Sequence, residues 1–266
     1  MVGMKKYWAF GKNSLQNTFV YRGPIAIWIV SNCVNLLVAI ILWLSVSAGD
    51  KIGGYSKPEL ISYYIVGLFF QWLIGWLPFY DVLQEIKKGE IVFSLIKPFS
   101  YFWRKFFEDL GWHLFSVWVG LLGSSLIAFF FREYLVFNFE FSHLIILLPS
   151  LALATFVVFG LSLCMGLVAF WATDIYALGG VFWMTRSLLG GQGIPLSFIP
   201  QSFQTLVRFL PFRYTFSFPL EIYFNKLDRA EIFFGFLMSL FWAFFFYGLY
   251  RLLWNRGRKV YTAFGQ

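Results

Sequence analysis

Residues 144–173 read LIILLPSLALATFVVFGLSLCMGLVAFWAT, and no side chain in this stretch is charged. A helix needs about 20 apolar residues to cross a hydrocarbon core roughly 30 Å thick. The stretch is longer than that, so it predicts a membrane-spanning helix that tilts or kinks, with Pro149 near its start as the position of a kink. Barrel strands alternate polar and apolar residues over about 10 positions, so the continuous run also argues against a β-barrel.

The composition of the whole chain agrees with a membrane protein. Of 266 residues, 59% are hydrophobic and only 13% are charged, and the mean hydropathy is +0.70. A soluble domain carries about 25% charged residues and has fewer uninterrupted apolar runs. The sequence therefore predicts an all-α polytopic membrane protein with a single transmembrane domain over residues 1–266.

Apolar runs of membrane-spanning length predict six transmembrane helices. The fifth is the least regular, because Arg186 and several glycines interrupt it. The predicted spans cover residues 25–47, 61–80, 110–131, 144–173, about 175–191 and 232–250.

The basic residues predict the orientation of these spans. If the N-terminus is cytoplasmic, thirteen Lys and Arg residues fall in cytoplasmic segments and seven on the opposite side. Basic residues are enriched in cytoplasmic segments, so both termini are predicted to be cytoplasmic, and the net charge of +8 is a topology signal that also attracts anionic lipid. The cytoplasmic set is Lys5, Lys6, Lys12, Arg22, Lys87, Lys88, Lys97, Arg104, Lys105, Arg251, Arg256, Arg258 and Lys259, and the outer set is Lys51, Lys57, Arg132, Arg208, Arg213, Lys226 and Arg229.

One predicted cytoplasmic segment, EIKKGEIVFSLIKP at residues 85–98, carries five charges between long apolar runs. Its apolar residues recur at helical spacing, which predicts a short helix with an apolar face, interrupted at Gly89 and stopped by Pro98. The residues that share this spacing are Ile86, Glu90 and Phe93 on one side and Ile91 and Leu95 on the other. Two interpretations remain open: a solvated basic loop that anchors the topology, and an element that docks to a soluble partner.

Residues 1–23 predict an amphipathic helix at the membrane surface. Trp8, Leu15 and Phe19 recur at helical spacing, with basic residues around them. The segment has no compact apolar core and no small-residue cleavage site, so we do not expect a signal peptide.

Residues 190–230 are apolar but interrupted by Pro195, Pro200, Pro211 and Pro219. Irregular backbone at membrane depth is tolerated only where protein or water satisfies its polar groups. Two short re-entrant helices that dip back from the outer face meet this condition, and an external loop packed on the bundle meets it equally well.

Four ionisable residues near predicted span ends or inside spans allow more than one role. Glu108 and Asp109 precede the third span and are expected to favour a helix N-terminus, with a cytoplasmic gate as the alternative. Asp174 is expected to cap a helix. Arg186 lies in an apolar run, where a cation is costly unless it is paired or functional. Contact with an anionic substrate, an ion pair with a neighbouring helix and snorkelling to the outer surface remain open for it.

The sequence lacks the motifs of nucleotide hydrolysis, metal binding and intramembrane proteolysis. The Gly11-Lys12 pair lacks the other glycine and the Ser or Thr of a phosphate-binding loop, so no ATPase activity by that route is predicted. No metal site is expected, because the histidines and cysteines show no ligand spacing; they are His113, His143, Cys33 and Cys164.

Three motifs carry a family resemblance. Gly89, Leu95 and the Lys97-Pro98 pair resemble the cytoplasmic loop of bacterial ABC transporter permeases of the type-2 exporter class. Residues 190–224, GGQGIPLSFIPQSFQTLVRFLPFRYTFSFPLEIYF, are similar to the stretch after the fifth span in that class. The basic tail NRGRKVYTAFGQ is similar to the C-termini of relatives, which often end in two glycines where this chain has Gly265-Gln266.

This resemblance implies a permease subunit of the bacterial cytoplasmic (inner) membrane, without ATPase activity of its own, that exports a substrate. Two cytoplasmic ATPase subunits would bind ATP and Mg²⁺, and a second permease, identical or homologous, would complete the translocation unit. Re-entrant helices cap the exit pathway in the family, which implies pathway roles for Arg186, Gly193, Pro195 and Pro200. An ion-coupled secondary transporter or channel, and a membrane-embedded enzyme, remain alternatives.

The resemblance also implies a cytoplasmic coupling loop over residues 81–105 and a cytoplasmic tail over residues 251–266. The loop is expected to bend at Gly89, because glycine accepts positive φ without a steric penalty, and to meet the ATPase together with the N-terminal helix. Ile86, Ile91 and Phe93 would supply buried contacts with that partner, while Lys87, Lys88 and Glu90 would set its orientation. The predicted coupling residues are Glu85, Ile86, Lys87, Lys88, Gly89, Glu90, Ile91, Phe93, Leu95, Lys97 and Pro98.

Overall fold

The computed structural model describes residues 2–18, 22–45, 52–75, 78–136, 141–172 and 175–261. These residues form twelve α-helices, three single-turn 3-10 helices and one isolated bridge between Ile52 and Tyr55, so the predicted all-α fold is confirmed. The α-helices are α1 (Val2–Thr18), α2 (Arg22–Ser45), α3 (Lys57–Ile74), α4 (Phe79–Lys87), α5 (Val92–Ile96), α6 (Tyr101–Phe130), α7 (Phe141–Leu167), α8 (Tyr176–Leu189), α9 (Gln201–Val207), α10 (Pro211–Tyr214), α11 (Ser217–Tyr223) and α12 (Arg229–Val260).

Some features that the sequence singled out lie beyond this description. Phe19, Lys51, Asp174 and the terminal Gly265-Gln266 pair lie outside the described residues, as do the side chains of Arg22 and His143.

Four helical stretches of the described chain are long and apolar enough to cross a membrane, which agrees with a polytopic membrane protein. They are Lys57–Lys87 (α3 with α4), Tyr101–Phe130 (α6), Leu144–Phe170 (α7 and the turn after it) and Arg229–Val260 (α12). Helix α2 is apolar over Val30–Ser45, and α8 has 14 residues, which give about 21 Å of helix. The predicted count of six spans stays a prediction.

Helix α7 lies at the centre of the bundle and packs against α3, α4, α11 and α12. It is buried on several sides, and Ala154, Val157 and Val158 have no exposed surface. A Cβ at Gly160 would lie only 2.9 Å from the Cβ of Phe246, so this glycine allows α12 to approach closely. Pro149 lies inside the helix, and the kink expected there stays a prediction.

The predicted second span is two helices rather than one. Helix α3 begins at a capping box formed by Ser56 and Glu59 and ends at Ile74, and α4 begins at Phe79. Gly75, directly after α3, has φ +90°, a backbone conformation that other residues rarely adopt. The sequence showed an uninterrupted apolar run here, and apolar periodicity does not reveal a break of this kind.

Residues 211–224 are packed deep into the bundle. Helices α10 and α11 contact α3, α7 and α12, and Tyr214, Phe218 and Leu220 are at most 1% exposed. A backbone hydrogen bond connects this segment to the end of α8, because the Ser217 N–H donates to the Gly190 carbonyl over 3.1 Å. The depth of these helices relative to a bilayer stays a prediction.

Helix α12 extends beyond the predicted sixth span at both ends. Asp228 and Glu231 form a capping box at its start, and it continues to Val260. The first part of the predicted tail, from residue 251, therefore belongs to the last helix and is not a separate segment. Basic residues at 258 and 259 occupy its last turn, where the helix dipole favours cations.

Candidate functional site

The segment 85–98 has the interrupted form that its sequence predicted. Helix α4 ends at Lys87, Gly89 has φ +78°, and α5 adds one more helical turn before Lys97 becomes extended. The residue before a proline is driven out of the helical region by the proline ring, which explains the stop ahead of Pro98. The predicted break at Gly89 and stop at Pro98 are confirmed.

Glu85 fixes the base of this segment to α6. Its carboxylate accepts from Arg104 Nη2 and Lys105 Nζ, each over 2.6 Å, and from the Tyr101 hydroxyl over 2.9 Å. Glu108 lies 3.5 Å from Arg104 and 3.2 Å from Lys105 on the same helix. Two cations that are largely buried are thus held between two glutamates. From the sequence, Arg104 and Lys105 are only topology signals, because residue types alone do not reveal this network.

Ile86 and Ile91 do not present surface to a partner. They are 2% and 0% exposed and pack inside the chain with Val82, Phe102 and Phe170. The expectation that these two isoleucines supply contacts with an ATPase is wrong, because α6, α7 and α12 already cover them. Ile86 is buried on α4 before the turn at Gly89, and Ile91 is buried directly after it.

The exposed apolar residues of the segment belong to α5 instead. Phe93 is 61% exposed and Ile96 is 71% exposed, and Val92 and Leu95 are partly exposed beside them. We call Val92, Phe93, Leu95 and Ile96 the apolar tip. Charged side chains surround the tip, since Lys88, Glu90 and Lys97 are all exposed.

Lys87 and Gln84 connect α4 to the start of α8. The Lys87 ammonium lies 4.9 Å from the ring centroid of Tyr176, and the Gln84 side chain donates to the Tyr176 hydroxyl. The expected role of Lys87 in orienting a partner therefore competes with an internal contact to the tyrosine ring.

Helix α1 contacts the residues that directly follow the apolar tip. Lys6 Nζ donates to the Pro98 carbonyl over 3.2 Å, and the Tyr7 hydroxyl accepts from the Ser100 N–H over 2.9 Å. The helix also crosses α6 closely where Gly11 meets Gly111, because a Cβ at Gly111 would collide with the Gly11 carbonyl. The two elements that the sequence analysis assigned to one cytoplasmic surface are therefore in direct contact.

The C-terminal end of α12 supports the same segment. The Tyr101 and Trp254 rings stack at 4.4 Å and 11°, and the Tyr261 hydroxyl donates to the Ile86 carbonyl over 3.4 Å. Residues 85 and 86, at the base of the tip, thus contact α6 on one side and the end of α12 on the other.

Glu108 and Asp109 do not cap a helix. Helix α6 begins at Tyr101 and has no acid in its first turn, so the two acids lie two turns inside it and the capping expectation is wrong. Asp109 Oδ2 is 3.6 Å from His113 Nδ1, and both side chains are at most 9% exposed. The His113 ring occupies the space that a side chain on Gly75 would need, at the end of α3.

A cavity of about 430 Å³ lies beside the break between α3 and α4, and residues of α2, α3, α6 and α8 line it. Arg186 lines it, which gives one predicted pathway residue a place in a concave site. The other described lining residues that can hydrogen-bond through side-chain amides are Asn32, Asn35 and Gln71, and Trp72, Trp112 and Trp183 are among its aromatic walls. A pocket of this size with few polar groups is typical of ligand sites.

Gly193, Pro195 and Pro200 lie elsewhere. The Tyr64 hydroxyl donates to the Gly193 carbonyl over 2.8 Å, Pro195 is buried, and Pro200 precedes α9. None of the three is among the described residues that line the cavity of Arg186, so the structure does not bring the four predicted pathway residues together.

A second cavity, of about 270 Å³, lies under α9 and is bordered by ion pairs. Three pairs contribute to it: Arg213 with Glu221 at 2.6 Å, Arg208 with Glu231 at 2.7 Å, and Lys226 with Glu59 at 2.7 Å, the last glutamate lying next to the cavity. Burial acts to lower the pKa of Arg213, but the Glu221 carboxylate, together with Tyr214 and Glu231, raises it, so the net direction is upward and the pair stays charged. Each of the three cations of this second cavity is paired with an acid, whereas no ion pair among the described residues includes Arg186.

Metal-ligating residues do not cluster in the described part of the chain. No group of three or more His, Cys, Asp or Glu side chains there is arranged to hold an ion. Cys33 and Cys164 are free thiols on different helices.

Comparison with protein families gives a match over most of the chain. A family model described as ABC-2 family transporter protein matches residues 30–265. No curated protein and no solved structure matches the chain.

Proposed function

Because the chain belongs to the ABC-2 family of transporter proteins, we propose that it is the membrane-spanning permease subunit of an exporter that is driven by ATP. The observation that carries the proposal is the apolar tip. It exposes Phe93 and Ile96 to the surroundings on a base that is fixed to α6 through Glu85. An exposed apolar patch with a charged rim is typical of a protein interface.

The partner that fits this surface is a soluble ATPase subunit. These 266 residues contain no phosphate-binding loop, which supports an ATPase subunit that binds ATP and Mg²⁺ as the energy source. One permease would supply half of a translocation unit, and a second copy or a homologous permease would supply the other half, with two ATPase subunits below them.

The geometry supports a route for the movement. A displacement of the apolar tip by a closing ATPase dimer would act on the turn at Gly89. The Glu85 contacts would transmit it to α6, and the Tyr101–Trp254 stack would transmit it to α12. Because packed helices move as rigid bodies, a shift at the tip would change the space between helices within the membrane.

Outward transport requires the tip to face the cytoplasm, with both termini on that side of the bacterial cytoplasmic membrane. Cysteines introduced by Arg258→Cys and Arg229→Cys test this orientation in intact cells. An impermeant thiol reagent is expected to label position 229 and not position 258. Labelling of position 258 alone would reverse the orientation.

Co-purification of the ATPase with tip variants tests the partnership. Phe93→Ala is expected to weaken binding by about tenfold or more, because truncation of a central apolar anchor costs about 1–2 kcal/mol or more. Phe203→Ala is a matched control, since Phe203 is 60% exposed on α9, in the predicted outer region. Lys88→Ala is expected to change binding little, because an exposed charge is worth about 0–1 kcal/mol.

Three results would contradict the proposal. They are equal losses in Phe93→Ala and Phe203→Ala, complete loss in Lys88→Ala alone, and substrate movement by the purified permease without any ATPase.

One observation favours an ion-coupled carrier as a second candidate. Asp109 and His113 form a buried pair inside α6, beside the break between α3 and α4. Ionisable pairs at such depth occur in proton-coupled transporters. Transport driven by a pH gradient in vesicles that contain only this chain, and lost in Asp109→Asn, would select the carrier over the exporter.

A further inference from the structure

We propose that the cavity of Arg186 binds the anionic group, phosphate or carboxylate, of an amphipathic molecule. This inference rests on the proposed transport function, because it names the chemical class of molecule that the pathway takes.

Arg186 is buried in the apolar part of the bundle. It is 3% exposed and lies in the last turn of α8, three residues before the final residue, Leu189. The side chain therefore does not reach an outer surface, and the snorkelling interpretation left open by the sequence is not observed.

The guanidinium has no acidic partner among the described residues. None of the ion pairs found there includes Arg186, and its Nη2 atom has no hydrogen-bond partner. Its Nε donates to Thr215 Oγ1 over 3.4 Å, while that hydroxyl donates to the Phe212 carbonyl over 2.6 Å. An arginine has five N–H donors, and the two on Nη2 are left for a ligand.

The cavity complements an anion that has an apolar body. Arg186 is the one charged residue among the described residues that line it, so nothing acidic there would repel an anion. Amide groups of Asn32, Asn35 and Gln71 can donate to its oxygen atoms. Trp72 and Trp183 offer apolar surface to the rest of the molecule. A volume of about 430 Å³ is larger than a phosphate or a carboxylate alone requires.

Gly180 provides a way to close the cavity without altering Arg186. A Cβ built at Gly180 meets no atom within 4 Å, and the residue lines the cavity. At the adjacent Gly179, a Cβ would lie 2.8 Å from the Phe79 ring, so substitution there would disturb packing. Gly180→Phe therefore fills the site while the contacts around it remain.

The test measures binding of dodecyl phosphate to the purified full chain in nanodiscs, which needs no ATPase. Uncharged dodecanol and inorganic phosphate serve as the two comparison probes. The variants are Arg186→Met, Gly180→Phe and the control Arg132→Gln, which removes an exposed arginine outside the cavity. The thermal midpoint of each variant without probe reports whether Arg186 has only a structural role.

Dodecyl phosphate is expected to bind the native chain, and Arg186→Met to weaken this binding about ten- to a hundredfold, the loss typical of a hydrogen bond to a charged group. Gly180→Phe should abolish binding, and Arg132→Gln should leave it unchanged. The thermal midpoint of empty Arg186→Met should equal or exceed that of the native chain, because a buried cation without a partner is removed.

Four results would overturn the proposal: equal binding of dodecyl phosphate to Arg186→Met, equal binding of dodecanol, a lower midpoint in empty Arg186→Met, and binding of inorganic phosphate as tight as that of dodecyl phosphate. The last result would show an anion site that makes no use of the apolar walls. Because the assay omits the ATPase, each outcome is independent of whether the partner in the proposed function exists.

Discussion

The chain buries cations in two regions, and it treats them in opposite ways. At the base of the apolar tip, Arg104 and Lys105 share the carboxylates of Glu85 and Glu108. In the cavity between α2, α3, α6 and α8, Arg186 has no carboxylate partner among the described residues. Burying a charge costs several kcal/mol unless a partner offsets the cost. In the first region, ion pairs hold α4 to α6. In the second, Arg186 Nη2 is left without a partner, which is the basis of the proposed anion site.

This comparison predicts its largest effect at Glu85. Glu85→Gln leaves two buried cations to share Glu108, so we expect the free energy of unfolding to fall by about 3 kcal/mol. Glu90→Gln is the control, because Glu90 is exposed and is expected to change stability by less than about 0.5 kcal/mol. Denaturant unfolding in detergent micelles measures both. Equal stability of the two variants would show that the Glu85 contacts do not hold α4 to α6.

Arg186 should give an effect of opposite sign. Replacement of an unpaired buried cation by an apolar residue of similar length removes a desolvation cost, so Arg186→Met is expected to raise the free energy of unfolding by about 1–3 kcal/mol. Arg104→Met, measured in the same denaturant series, is expected to lower it, because Arg104 has acidic partners. Destabilisation by both variants would remove the distinction between the two regions.

The turn at Gly89 should give a smaller effect that separates stability from coupling. A non-glycine residue at φ +78° costs about 1–2 kcal/mol, although the nearest atom to a new Cβ, the Tyr261 hydroxyl oxygen, is 3.6 Å away. Gly89→Val is therefore expected to lower transport-linked ATP hydrolysis while the chain still inserts. Gly89→Asn should retain more activity, because asparagine tolerates left-handed backbone. Native activity in Gly89→Val would leave the segment as a topology anchor only.

The rim of the apolar tip should give the smallest effect. Lys97→Ala removes an exposed charge, and its effect on ATPase binding is expected to stay below about 1 kcal/mol and to shrink at high salt. Binding measured at two salt concentrations checks this. A larger, salt-independent loss would mean that Lys97 is buried in the complex and is not part of its rim.

The sequence predicted the turn but not its consequences. A glycine followed by a Lys-Pro pair is local chemistry, so the break at Gly89 and the stop before Pro98 could be read from residue types alone. Whether Ile91 or Phe93 faces outward depends on the direction in which the chain leaves that turn. Helical spacing grouped Ile86 with Phe93, yet the two residues lie on different helices on either side of the turn, and the first is buried while the second is exposed.

The amino-acid sequence by itself determined that this protein is an all-α membrane protein and which segments are cytoplasmic candidates, because apolar length and basic residues act through the bilayer and need no partner in the fold. It also marked Arg186, since a cation in an apolar run is unfavourable wherever the run is placed. Only the tertiary structure decided that Glu85 pairs with Arg104 and Lys105, that α3 ends at Gly75 beside His113, and that Arg186 faces a cavity without an acid in the described residues. These facts depend on which side chains from distant helices meet, and no local pattern in a single sequence encodes that.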